Sequence, residues 1–256
     1  MKTATKAQML IRLPDGTIHE VTNRKVIVNE NDYKDDFSAV TDSYKIVQHQ
    51  KVYTTVEDVV SEQNLKANIK PNSTYDGNGG RLHIEVTFED IFLDVENNGI
   101  HAQLYCTYDN SYDGSTGLRL SVGAKRGKSV MWIIGSRYYH KHTKSVSVAA
   151  FEEKLEKGIN NFQTKIKKHF MDMFNTPSNE AQAINALESC ESVKGVSYKK
   201  YVLPIITKVE RASITNKWQL YCIICDEISE LASSIDVRDK HLRAIITKVH
   251  KIIPSI

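Results

Sequence analysis

The chain has no charge excess that would mark it as a polycation. Across 256 residues, 34 Lys or Arg stand against 31 Asp or Glu, a net of +3. That excludes a globally basic nucleic-acid coat, so any electrostatic function has to come from local clustering. Cysteine is scarce: Cys106, Cys190, Cys222 and Cys225 are too few for a disulfide framework in so long a chain. They point to a reducing cytoplasm. No apolar run approaches the ~20 residues of a membrane span. The opening MKTATKAQML lacks an apolar core followed by a small-residue cleavage site, so no signal peptide is expected. Internal repeats and low-complexity tails are missing too.

The common catalytic patterns are also missing. There is no GxxxxGK[ST], no GxGxxG after a strand, no HExxH and no GxSxG. The pairs Asp35 and Asp36, Asp90 and Asp94, and Glu152 and Glu153 read as solvated charge in loops or on helix faces. A nuclease could still draw on such dispersed carboxylates. Cys222 and Cys225 form a lone CxxC within WQLYCIICDEISEL, an apolar helical pattern, and no second pair completes a zinc set. They read as buried, reduced core thiols. No cofactor and no metal site is expected.

What is present is a chain long enough for a sizeable core, with 41% hydrophobic residues. Residues 9–21, MLIRLPDGTIHEV, predict a β-hairpin around Pro14-Asp15-Gly16. Residues 22–40 read as a polar loop, Tyr44 to His49 as a short strand, and Val52 to Leu65 as a helix. Residues 70–80 read as a loop. Strand-like runs follow at Arg81 to Phe88, Ile100 to Tyr108, Leu118 to Gly123 and Ser129 to Ile134. After residue 145 the period becomes helical: Phe151, Leu155, Ile159, Phe162, Ile166 and Phe170 step by three or four. Further helices are expected at Asn179 to Cys190, Tyr198 to Val209, Thr215 to Ser234 and Asp236 to Ile253. The fold class is α+β, with a mainly antiparallel sheet in the N-terminal half and a helical C-terminal half. The expected organisation is a β-rich region, 1–145, with one helix, and a helical region, 146–256, packed with it as one unit.

The strongest local signal lies between Arg119 and Lys144. This stretch holds seven Lys or Arg, two His and no acid, inside an acid-free run from Gly114 to Phe151. Trp132, Tyr138 and Tyr139 are interleaved with the charges, and Gly123, Gly127 and Gly135 would let backbone approach a ligand. Cations for phosphates with aromatics for bases is the combination used on single strands. The candidate binding residues are Arg119, Lys125, Arg126, Lys128, Arg137, Tyr138, Tyr139, His140, Lys141, His142 and Lys144. His140 and His142 would share a face in an extended strand. With Lys141 and Lys144 beside them, they suit an anion better than a metal.

Four motifs in order carry a family resemblance: Thr41 to His49 (TDSYKIVQH), Asn110 to Ser115 (NSYDGS) with Arg119 downstream, Lys141-His142-Thr143, and Thr215 to Tyr221 (TNKWQLY). Over about residues 40–235 the chain resembles the phage/plasmid-like domain-of-unknown-function family numbered 932. Where that family often has a Cys-Asn pair, this chain has Met131-Trp132. The resemblance implies a mobile-element protein. At fold level it is similar to single-strand annealing proteins of the Rad fifty-two type, which bind single-stranded DNA as oligomers. It nominates Arg119, Lys141, His142 and the Asn110–Ser115 loop, although that loop's residue types also suit a purely structural turn. The expected function is single-stranded DNA binding or annealing by a homo-oligomeric ring or filament, without a membrane. An anti-defence or other interaction protein that binds a host protein or ribonucleoprotein, and a metal-dependent nuclease, stay open as alternatives.

Overall fold

The computed structural model describes residues 1–72, 79–97, 101–131, 137–178, 180–188, 199 and 202–234. Antiparallel sheet dominates the N-terminal half and helix the C-terminal part, so the chain is α+β. Strands β1 (Ala4–Arg12), β2 (Ile18–Asn29) and β3 (Asp32–Thr41) form a three-stranded sheet in sequence order. Helix α1 (His49–Glu62) follows. Strands β4 (Ala67–Asn72), β5 (Arg81–Asp94), β6 (His101–Ser111), β7 (Leu118–Arg126) and β8 (Ser129–Met131) lie in that order in a second sheet, with β9 (Arg137–His140) also paired to β7. The helices are α2 (Val148–Asn161), α3 (Lys167–Phe174), α4 (Glu180–Glu188), α5 (Leu203–Glu210) and α6 (Lys217–Ser234). A π-helical turn, Phe162–Ile166, joins α2 to α3. Among the described residues no helix is long and apolar enough to cross a membrane.

The division expected at residue 145 is not the one the chain makes. One compact unit comprises residues 1–90, 105–122 and 136–159; the other comprises 91–104, 123–135 and 160–256. Each takes its own share of β5, β6 and β7, so strand and helix are mixed in both.

In the first unit the β1–β2 hairpin is where the sequence places it. Its turn is held by Asp15, whose Oδ1 accepts the Thr17 main-chain N–H at 2.9 Å, and Gly16 takes φ +87°. Residues 22–40 are not a loop but the rest of β2 and all of β3. Ile27, Phe37 and Val40 face a small core with Ala4 and Tyr112. Tyr44 to His49 is not a strand. Tyr44 to Gln48 joins no ladder and His49 opens α1; side chains of Asn110, Tyr112 and His142 take the Val47 carbonyl, the His49 N–H and the Lys45 carbonyl.

In β5, Leu82, Ile84, Val86 and Phe88 are fully buried and alternate with half-exposed Arg81, His83, Glu85 and Thr87. The period of two thus gives the second sheet an apolar and a polar face. Helix α2 covers the apolar face: Phe151 tilts against Tyr108 at 5.2 Å, and a Cβ on Gly158 would sit 2.7 Å from the Val122 side chain. Ser147 caps this helix, its Oγ accepting the Ala150 N–H at 3.2 Å.

The second unit is built on α3 to α6. Phe170, Trp218 and Tyr221 form an aromatic cluster, and the Trp218 indole N–H donates to Glu96 at 2.8 Å. The TNKWQLY motif is the start of α6. Asn216 Oδ1 accepts the Gln219 N–H at 2.9 Å, and Gln219 Oε1 accepts the Thr215 N–H at 3.0 Å, a reciprocal N-terminal cap. Cys222 and Cys225 are buried free thiols, and burial pushes Cys222 up to about 12. Asp236 to Ile253, Cys190 and most of the Tyr198 to Val202 stretch lie outside the described residues.

Candidate functional site

Three of the four motifs meet inside the first unit. The Tyr44 hydroxyl donates to the Ser111 carbonyl at 2.8 Å. Asn110 Nδ2 donates to the Val47 carbonyl and to His49 Nδ1, both at 2.8 Å. The Tyr112 hydroxyl accepts the His49 N–H at 2.9 Å, and its ring stacks on the His49 imidazole at 3.8 Å. Gln48 clasps Ala4 through both main-chain groups, at 3.1 and 2.6 Å. His142 Nδ1 bonds the Lys45 carbonyl at 3.1 Å, and its ring stacks on Tyr44 at 5.0 Å. TDSYKIVQH, NSYDGS and KHT therefore build one buried polar hub that ties β1, α1, β6 and the segment after β9 together. The Asn110–Ser115 loop is structural in detail: Gly114 has φ +71°, Asp113 caps the Ser115 N–H at 2.8 Å, and Arg81 pairs with Asp113 at 3.0 Å.

The hub removes one expected binding residue, His142, from solvent. His142 is buried, and His140 sits half-exposed with its Nδ1 2.7 Å from the Lys141 carbonyl, so the two do not present a common histidine face. Tyr138 turns inward, its hydroxyl donating to the Ser147 carbonyl at 3.1 Å and its ring edge-on to Phe151 at 6.1 Å. It braces the start of α2 and is only partly exposed.

The polar face of the sheet is the candidate site. Register places Arg119 opposite Tyr139 and Ser121 opposite Arg137. Since strand residues two apart share a face, Arg119, Ser121, Arg137 and Tyr139 stand together. Tyr139 is 54% exposed, the Arg119 guanidinium lies 5.7 Å from its ring centroid, and Arg137 is exposed. Next to them runs a row that charge-reading along the sequence missed. His83 Nδ1 contacts Asp109 Oδ1 at 2.8 Å, Arg119 reaches the other Asp109 oxygen at 3.7 Å, and His83 Nε2 faces Glu85 at 3.7 Å. Glu85 also meets Tyr105, whose hydroxyl is pushed up by burial and by that carboxylate. Arg119 therefore already has a counter-charge.

Burial alone would lower the His83 pKa, but its bonds to Asp109 and Glu85 outweigh burial and hold it at about 9. Its ion pairs contribute stability that is fully present below the ordinary imidazole value near 6.5 and is lost as pH rises through 9. Titration of the His83 ring followed by NMR is expected to give a midpoint near 9. A midpoint at or below 6.5 would refute this cross-strand row.

The remaining expected residues are split between the units. Lys141 and Lys144 are exposed in the first. Lys125, Arg126 and Lys128 belong to the second, around the β7–β8 turn where Gly127 takes φ +59°. Arg126 pairs with Asp226 of α6 at 3.5 Å, and only Lys128 of the three is exposed. Trp132 and Gly135 lie outside the described residues. Among those described, no three His, Cys, Asp or Glu are grouped to hold a metal ion. Comparison with protein-family models, curated proteins and solved structures finds no match, so the reading of this site rests on its own geometry.

Proposed function

We propose that the first unit binds single-stranded nucleic acid on the polar face of its sheet, as a DNA-binding or annealing protein of a phage, plasmid or related mobile element acting in the cytoplasm. The observation that carries this reading is Tyr139, an exposed ring on an antiparallel sheet with Arg119 beside it and Arg137 on the same face. An aromatic on an open sheet stacks a base, and neighbouring cations take the flanking phosphates. Arg137 is the cation on this face without an ion pair among the described residues, so it is the main phosphate contact. Arg119 acts chiefly by holding the ring, and Lys141 and Lys144 extend the path.

Salt dependence tests it. For about four phosphate contacts, log affinity for an oligo-dT strand should fall against log salt with a slope of roughly −3. Arg137→Ala should flatten that slope by about 0.7 and weaken all sequences alike. An unchanged slope in a folded variant would remove the sheet face as the site. Strand cleavage that needs a divalent cation would favour the nuclease alternative.

One observation supports a protein partner in addition. Leu10, Ile11, Leu13 and Ile18 are all exposed near the tip of the β1–β2 hairpin, more apolar surface than a solvated turn needs. We read this tip as a contact for homo-oligomerisation. Leu10→Asp with Ile18→Asp should shift light scattering toward monomer without lowering the melting temperature. If the parent chain is already monomeric with and without oligonucleotide, the tip is left for a host-protein partner.

A further inference from the structure

Away from the sheet face, three lysines from separate parts of the first unit come together around one open pocket. Lys6 comes from β1, Lys45 from the segment before α1, and Lys144 from the turn before α2. Asp42, Ser43, Tyr44 and Ile46 complete the wall, and the pocket measures about 370 Å³. Two of the ammonium groups are held in place by main-chain carbonyls. Lys6 Nζ donates to the Asp42 carbonyl at 2.8 Å, and Lys45 Nζ donates to the Val146 carbonyl at 3.0 Å. Each ammonium has three N–H donors, so two remain on each lysine. The backbone beneath is fixed as well: Lys45 N–H donates to the His142 carbonyl at 3.0 Å, and the Tyr44 hydroxyl is anchored on Ser111.

Three ammonium groups against the single carboxylate of Asp42 leave a formal excess of two positive charges on this wall. Clustering like charges is unfavourable unless an anion is gathered with them. Lysines pinned by carbonyls lose less rotamer freedom when they meet that anion. Tyr44 and Ile46 supply an apolar part of the wall, which inorganic phosphate would leave unused.

We infer that this pocket binds a nucleoside phosphate, its phosphate on Lys6, Lys45 and Lys144 and its nucleoside against Tyr44 and Ile46. The nucleotide is either free or one unit of a strand. The pocket shares no side chain with the sheet-face site except that Lys144 was assigned to both, so either proposal can fail alone.

The test titrates isotope-labelled full-length protein with AMP, adenosine, inorganic phosphate and an oligo-dT strand, followed by NMR. Saturable shifts at Tyr44, Lys45 and Ile46 are expected with AMP below about 10 mM. Lys45→Ala with Lys144→Ala should weaken them about tenfold, and Tyr139→Ala should leave them unchanged. Lys144→Ala alone should weaken AMP in part; its ammonium has no hydrogen bond among the described residues, so this variant guards against a folding effect. Oligo-dT that displaces AMP assigns the ligand to a strand, and oligo-dT that does not assigns it to the free nucleotide; both outcomes support the inference. Absence of saturable AMP shifts, equal binding by inorganic phosphate or adenosine, or full AMP binding in the folded double variant would overturn it.

Discussion

Replacing Tyr139 with Ala is expected to weaken binding of an oligo-dT strand by about 1–3 kcal/mol, roughly 5- to 150-fold, with little change in salt slope. A stacking contact carries no counterion release, whereas a phosphate contact does. The ring is well placed for this role. It is anchored on β9 opposite Arg119, with the guanidinium 5.7 Å from its centroid. Beneath it, Gly117 lets β9 approach: a Cβ there would lie 2.3 Å from the His140 carbonyl oxygen and 3.0 Å from the Tyr139 ring. Exposure of the ring means that Tyr139→Ala should melt close to the parent. Tyr138→Ala makes the contrast, since that ring packs on Phe151 and its hydroxyl holds Ser147. It should lower the melting temperature and affect binding only through folding. Tyr139→Phe should bind as the parent does, because stacking needs the ring and not the hydroxyl. A folded Tyr139→Ala protein with parental affinity would end the stacking proposal.

That contrast also shows what the sequence could and could not convey. Tyr138 and Tyr139 are neighbours in a basic run, and only the pairing of β9 with β7 decides which of them faces solvent. Four residues, RYYH, are too short for a periodic signal, so β9 goes unread. The hairpin at Pro14-Asp15-Gly16 and the helical stepping from Phe151 to Phe170 were legible because local turn chemistry and a long period decide them. Tyr44 to His49 misled for a physical reason. Its alternation is that of a strand, but its partners are the side chains of Asn110 and Tyr112 and the backbone near His142, all distant in sequence. β3 was hidden because only Phe37 and Val40 mark its inner side. Charge misled in the same way. A run without acids looks undiluted along the chain, yet Asp109 comes to Arg119 from β6 and Asp226 comes to Arg126 from α6.

The buried hub gives the other large effect. The protein is expected to lose up to about 3 kcal/mol of stability through His49 as pH falls from 6.5 to 4. His49 is fully buried, stacked on Tyr112, with Nδ1 accepting from Asn110. Its Nε2 is buried without a hydrogen-bond partner among the described residues. Burial therefore holds its pKa at about 4, below the ordinary 6.5. Between those values the unfolded chain takes up a proton that the folded chain refuses, so stability falls with pH and this group adds no further loss below 4. His142, lowered by burial, acts in the same direction. His83 does not, because its raised pKa leaves its contribution intact throughout this window. Urea unfolding of the parent and of His49→Gln, repeated from pH 7 to pH 4, isolates the effect, since the carboxylates contribute alike to both. The variant should start less stable, having lost the stacked imidazole, and its deficit should shrink by about 3 kcal/mol on acidification. A deficit that stays constant with pH would show that His49 is free to protonate in the folded state. If the variant does not fold, NMR titration of the parent decides the matter: a His49 midpoint below about 5 supports the buried hub, and one near 6.5 overturns it.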